Sequence, residues 1–313
     1  MIASLSGHTE VVNTLIKADV KVVNIKRSKD QCSALMLASR KGHTEVVKAL
    51  IEGGAGIDLN ALDTYSCTAL MIAIENGHTK VIKALIEAGA NVNAPGPDGM
   101  TALMIASENG HTEVVNALLK SGVGINVNLQ GPDGQTALML ASLFGHAEVV
   151  NALLKSGAGV NVLLPNGWTA LMIASELGHA EVVNALIKAG ANVNAQLPDG
   201  KTALMIASEN GHTEVVNALL KSGVDIDLNA MDSSGKTALM IASENGHAEV
   251  VKALIEASGV DVKAPGPGPS WIPLKLARQK TADTKVEEAF DAKDVLKTGA
   301  GDESQSGGQK PKR

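Results

Sequence analysis

The sequence predicts an all-α repeat solenoid, built of stacked helix-turn-helix units with short β-hairpin or loop connections. Three observations predict it. All eight histidines follow a glycine, and the steps from His8 to His43, His78, His111, His146, His179, His212 and His247 are 35, 35, 33, 35, 33, 33 and 35 residues. A fixed period in this range marks a stacked repeat protein. Each unit also divides into two apolar stretches of about 8 to 10 residues, shorter than an isolated helix needs in water, so neighbours must cover what one unit leaves exposed. Finally, hydrophobic residues make up 45% of the 313 and aromatics only 2%. A core of Leu, Ile, Val, Met and Ala suits many thin, similar layers better than one large globule.

The elements of one unit follow from local chemistry. Thr101 caps a first helix running through Ala102-Leu103-Met104-Ile105-Ala106-Ser107-Glu108-Asn109, and Gly110 supplies the left-handed residue that ends it. Ala102 and Ile105 share a face, as do Leu103 and Ala106. A second helix begins near Thr112, read as its N-cap. Glu113 and Lys120 complement its dipole, and Val115, Leu118 and Leu119 form its apolar stripe. Gly122 closes it, and turn residues such as Pro97-Asp98-Gly99 lead into each next unit.

This plan resembles the ankyrin repeat family, whose Thr-Pro-Leu-His motif is followed by alanines and then Gly-His. The matching starts are Ser33-Ala34-Leu35, Thr68-Ala69-Leu70, Thr101-Ala102-Leu103, Thr136-Ala137-Leu138, Thr169-Ala170-Leu171, Thr202-Ala203-Leu204 and Thr237-Ala238-Leu239. The chain departs from the motif twice. Ala replaces the Pro, and Met replaces the His at positions 36, 71, 104, 139, 172, 205 and 240. The resemblance implies that this His bonds the turn region. Met is expected not to, leaving the turn to packing and its other bonds.

The organisation expected is a partial repeat over 1–32, seven full repeats over 33–271, a degenerate C-terminal cap over 272–297 and a disordered tail over 298–313. Met1-Ile2-Ala3-Ser4 aligns with Met172-Ile173-Ala174-Ser175, so the sequence opens inside a repeat. Either its start is incomplete or a half-repeat frays there. The basic end Lys310-Pro311-Lys312-Arg313 is shorter than a targeting patch and reads as solvated tail.

Chemistry is then sought and not found. A net charge of −6 argues against a nucleic-acid surface, and no apolar run approaches a membrane span. Equivalent histidines in adjacent repeats stand roughly 10 Å apart, the spacing of packed helices. Zinc needs its nitrogen ligands within about 2.1 Å, so two of them cannot share one ion. Cys32 and Cys67 occupy equivalent positions one layer apart and are expected to be free thiols, which fits a reducing, cytoplasmic setting. Ser, Glu and His recur in every unit with none singled out by an orienting partner, as nucleophilic catalysis requires. The expectation is a monomeric binding module with no enzyme activity and no cofactor.

Partner-binding candidates are the positions that vary while their neighbours repeat. The residue before each opening Ser or Thr is Cys32, Cys67, Met100, Gln135, Trp168, Lys201 and Lys236. A column accepting both Trp and Lys is expected to project from the turn. The usual Glu-Asn pair before the helix-closing Gly becomes Leu143-Phe144 and Glu176-Leu177 in two adjacent repeats. Leu143, Phe144, Trp168 and Leu177 are therefore expected to form an apolar patch on the concave side, with Met100, Gln135, Lys201 and Lys236 around it. Single exposed apolar residues are ordinary and need no function; their grouping is what argues for a patch. The two extra residues of the 35-residue units, as in Asn126-Val127-Asn128-Leu129-Gln130, are expected to lengthen the hairpin tips. The resemblance implies that the concave face and tips hold a partner protein. The rival readings are a recognition arm of a larger protein and a structural spacer, and the varied column speaks against the spacer.

Overall fold

The computed structural model describes residues 1–18, 24–54, 56–121, 124–262 and 264. The expected cap over 272–297 and tail over 298–313 lie outside them. The chain divides into two compact units, one of residues 1–170 with 188–190, the other of 171–187 and the residues from 191 onward.

The first unit holds five helix pairs. They are α1 (Ile2–Leu5) and α2 (Thr9–Ala18), α3 (Ala34–Lys41) and α4 (Thr44–Gly53), α5 (Ala69–Glu75) and α6 (Thr79–Glu87), α7 (Ala102–Glu108) and α8 (Thr112–Lys120), and α9 (Ala137–Leu143) and α10 (Ala147–Lys155). First helices pack on first helices in the order α1, α3, α5, α7, α9, and second helices in the order α2, α4, α6, α8, α10. The second unit holds α11 (Ala170–Glu176) and α12 (Ala180–Lys188), α13 (Ala203–Glu209) and α14 (Thr213–Leu220), and α15 (Ala238–Asn245) and α16 (Ala248–Glu256). There α13 packs on α15 and α14 on α16. Among the described residues the connections are loops; a single bridge, Lys26 to Ser33, is the only strand-like pairing.

The first helices lie between layers and are buried almost all round, as Ala102 through Ser107 are in α7. The second helices bury one stripe, Val114, Val115 and Leu118 in α8. Burying a Leu such as Leu118 contributes about 2 kcal/mol, and every such contact depends on the adjacent repeat.

The caps partly match the sequence reading. The Thr101 hydroxyl accepts from the Met104 N–H at 3.3 Å, as expected of an N-cap. The Met side chain does more than pack: Met104 Sδ accepts from the Thr101 N–H at 3.4 Å, and Met36 Sδ from the Ser33 N–H at 3.3 Å. In these two repeats the thioether, a weak acceptor, thus completes a reciprocal cap, where Met was expected to make no bond and leave the turn to packing and its other bonds. At the second helices, Thr44 and Thr112 are the first helical residues, and the caps are His43 and His111, whose side chains make no bond to their own helix.

Those rings serve the neighbouring repeat instead. His43 Nε2 donates to Leu5 O at 3.0 Å, His78 to Arg40 O at 3.1 Å, His146 to Glu108 O at 2.9 Å, His212 to Glu176 O at 2.7 Å and His247 to Glu209 O at 2.9 Å. A carbonyl can only accept, so Nε2 carries the proton. Each acceptor is among the last carbonyls of a first helix, which have no partner inside the helix. His111 departs from this pattern: its Nε2 is buried and unpartnered. In the preceding repeat the bulkier Ile74, fully buried, stands where Ser39, Ser107 and Ser142 stand elsewhere.

A second ladder runs through the loops. Asn93 donates to Gly124 O at 3.0 Å and accepts from the Asn126 N–H at 3.1 Å. Asn128 does the same with Gly157 O and the Gly159 N–H, and Asn229 with Gly259 O and the Asp261 N–H. One side chain satisfies a donor and an acceptor of the next repeat's backbone.

This ladder relocates the insertions. Asn60 and Cys67, Asn93 and Met100, Asn128 and Gln135, and Asn194 and Lys201 are each seven positions apart, in long and short units alike. From His111 to Asn128 is 17 positions, but from His179 to Asn194 only 15. The two extra residues therefore lie between the second helix and the ladder asparagine, and the tips are not lengthened.

Candidate partner-binding face

The two variable columns meet. In the second unit, Lys201 Nζ reaches Glu209 Oε2 at 2.7 Å and Lys236 Nζ reaches Glu244 Oε2 at 2.6 Å. In these two repeats the residue before the opening Thr lies along the exposed stripe of its own first helix, with its head against the carboxylate eight positions later. The Lys201 ammonium is held above its usual pKa chiefly by its hydrogen bond to Glu209.

The column does not project from the turn as expected. Met100, Gln135, Trp168, Lys201 and Lys236 are half-buried, and Cys32 and Cys67 are buried. The loop before each Thr is closed by backbone bonds, such as Leu164 N–H to Trp168 O at 2.9 Å and Gly131 N–H to Gln135 O at 2.9 Å. These fold the following side chain back onto its helix. Both Trp and Lys are amphipathic, with an apolar body and a polar end, which suits a half-buried position.

Leu143 and Phe144 end α9 and are exposed, 37% and 47%. Phe144 stacks on the His146 ring, with centroids 6.3 Å apart. Because His146 bonds Glu108 O, one ring ties the end of α7 to Phe144. Trp168 belongs to the same unit. Leu177 is exposed just beyond α11 in the second unit. Lys201 and Lys236 are in that unit too, where both are occupied by their glutamates.

The charge pattern differs along the first unit. Arg40 occupies the glutamate position in α3, with Nη2 3.6 Å from Cys32 Sγ and 3.9 Å from the buried Asp63 carboxylate. Glu75 follows on α5, its carboxyl pushed up by burial and then by the negative Asp63, with Arg40 opposing. Burial, followed by Glu75 and Asp63, pushes the Cys67 thiol up to about 12. Glu108 follows on α7, half-buried, beside Met100 rather than a lysine. Sequence reasoning passed over Tyr65, 71% exposed at a tip of the first unit. The signal was available: it is the chain's single Tyr, and it stands where Asp98, Asp133 and Asp199 stand in other units.

Among the described residues no three His, Cys, Asp or Glu side chains gather as a metal site, and no helix is long and apolar enough to cross a membrane. What the architecture defines is a helical repeat scaffold with a graded, partly apolar side-chain face. The family model described as Ankyrin repeats (3 copies) matches residues 1–96, 58–130, 103–196 and 186–265. The chain belongs to the ankyrin repeat family, whose members are generally protein-interaction modules. Among solved structures, it is similar to the ankyrin repeat domain of Bcl-3, a unique member of the IkappaB protein family. The identity is 29% and the TM-score 0.65, over 72% of this chain and 99% of that one. No curated protein matches the chain.

Proposed function

We propose that the protein is a monomeric adaptor or scaffold that holds a partner protein on the face formed by the ends of its first helices and the adjoining turns. It acts without catalysis and without a cofactor. Leu143, Phe144 and Trp168 are the apolar anchors in the first unit, with Met100 and Gln135 beside them. In the second unit, taken by itself, Leu177, Lys201 and Lys236 are the contact residues. The observation that carries the reading is the exposure of Leu143 and Phe144 side by side where other repeats place Glu-Asn. Large apolar side chains on a polar surface, aromatic ones above all, are typical binding anchors. The Bcl-3 similarity supports an interaction role, and two buried free thiols fit a reducing, cytoplasmic setting.

The test is affinity capture from native lysate with mass spectrometry, wild type beside a Phe144→Ala/Trp168→Ala double variant of unchanged circular dichroism. A partner held by the wild type and lost by the variant is expected. Equal capture by both proteins refutes the assignment of the anchors.

A further inference from the structure

Every first helix from α5 onward, except α9, ends with a glutamate at the position that Lys201 and Lys236 reach in their own repeats. In α5 and α7 the residue that would supply the lysine is Cys67 or Met100. Glu75 and Glu108 form no ion pair among the described residues, although each carboxylate sits where this chain elsewhere places an ammonium. On the next helix the glutamate is replaced by Leu143, and Phe144 follows. The first unit therefore presents, in stacking order, carboxylate, carboxylate, apolar anchor. Arg40, paired with the buried Asp63, takes the glutamate position on α3 and bounds the series there.

From this we infer the chemistry of the partner, an inference that rests on the reading of this face as a protein-binding surface: it takes an extended segment carrying two basic residues followed by an apolar one. The register comes from geometry. Packed helices stand roughly 10 Å apart, and a segment in the polyproline II conformation advances about 3.1 Å per residue with three residues per turn, so one repeat corresponds to three residues and positions three apart share a face. Lys or Arg at positions i and i+3 faces Glu75 and Glu108, and a Leu, Met or aromatic residue at i+6 packs on Leu143 and Phe144. The His146 bond to Glu108 O and the stacking of Phe144 on His146 hold the second carboxylate and the anchor together. In the second unit Lys201 and Lys236 already neutralise Glu209 and Glu244, so the run of two carboxylates before an apolar anchor does not recur there.

The chain supplies a variant that the fold should tolerate. Met100→Lys gives Glu108 the internal partner that Glu209 and Glu244 have, at a position where two repeats already carry Lys. A displayed library of random 16-residue peptides is panned on the full-length wild type, and enriched peptides are measured by fluorescence anisotropy against wild type, Met100→Lys, Glu108→Gln and Phe144→Ala. The expected peptides carry Lys or Arg at i and i+3 and an apolar residue at i+6. Met100→Lys and Glu108→Gln should each weaken them about tenfold, the scale of a lost charge-assisted hydrogen bond, and Phe144→Ala about tenfold or more, the scale of a lost buried apolar side chain. Peptides that depend on Phe144 but lack basic residues, or that bind Met100→Lys as well as wild type, overturn the inference and leave the binding face standing. If no enriched peptide depends on Phe144, both fall. Circular dichroism of each variant separates loss of binding from loss of fold.

Discussion

Gly110→Ala and Gly77→Ala make the same change at the same place in two adjacent repeats, yet they should differ in cost. Both glycines are left-handed, with φ of 69° and 68°, so each alanine carries the left-handed penalty of about 1 kcal/mol. Their surroundings differ. A Cβ on Gly110 would lie 2.7 Å from His146 Cε1, whereas one on Gly77 meets nothing closer than His111 Cε1 at 3.8 Å. Alanine at 110 must displace the His146 ring and break its bond to Glu108 O, which adds about 1–3 kcal/mol. His111 has no such bond to lose. Gly110→Ala should therefore cost about 2–4 kcal/mol and Gly77→Ala about 1 kcal/mol. Native-state hydrogen exchange read by mass spectrometry is the suitable assay, because repeat arrays lose strength locally and need not unfold in one step. Placing Gly110→Ala on a His146→Ala background should reduce its cost to about 1 kcal/mol. Costs for the two glycines equal within about 0.5 kcal/mol would refute the idea that the histidine ladder excludes a side chain there.

Two further outcomes follow from the same geometry. Asn128→Ala removes two inter-repeat bonds, at 2.7 Å from the Gly159 N–H and 3.3 Å to Gly157 O. In this exposed loop it should cost about 1 kcal/mol, and exchange of the Gly159 amide should quicken more than that of amides in α8. Cys67 is raised from the usual 9.0 to about 12, so the folded state keeps its thiol neutral while the unfolded chain ionises it. Its stabilising contribution is whole below about pH 9 and is lost as pH rises from there towards 12. Wild type should lose stability between pH 8 and pH 10.5 more steeply than Cys67→Ser in urea titrations, and a thiol reagent at pH 8 should label Cys67 only on unfolding; parallel pH profiles would contradict this.

Much of the repeat unit was legible because its signals act over a few residues. Thr101 caps α7 through Met104, three positions on, and Gly110 takes the left-handed conformation its place after Glu-Asn implied. The free state of Cys32 and Cys67 followed from their equivalent positions in successive layers. The site was legible in part. Leu143, Phe144 and Leu177 are exposed as their departure from Glu-Asn implied, while the column of Met100, Gln135 and Trp168 is folded back and half-buried. Alternation between Trp and Lys reads as exposure in a sequence, but in the structure the position is half-buried, and Lys201 and Lys236 lie along their helices with their ends on Glu209 and Glu244.

The sequence by itself determined the period, the helix pairs, the caps of the first helices and the identity of the varying positions, since each is written in neighbours within one or two helical turns. Tertiary structure alone decided which atoms join one layer to the next. The His146 bond spans 38 residues and the Asn128 bond to Gly159 spans 31. Stacking also decided that the extra residues of the long units fall before the asparagine ladder. Such choices depend on the register at which rigid, similar layers pack, and that register is fixed by the shapes of two repeats together rather than by the pattern of either one.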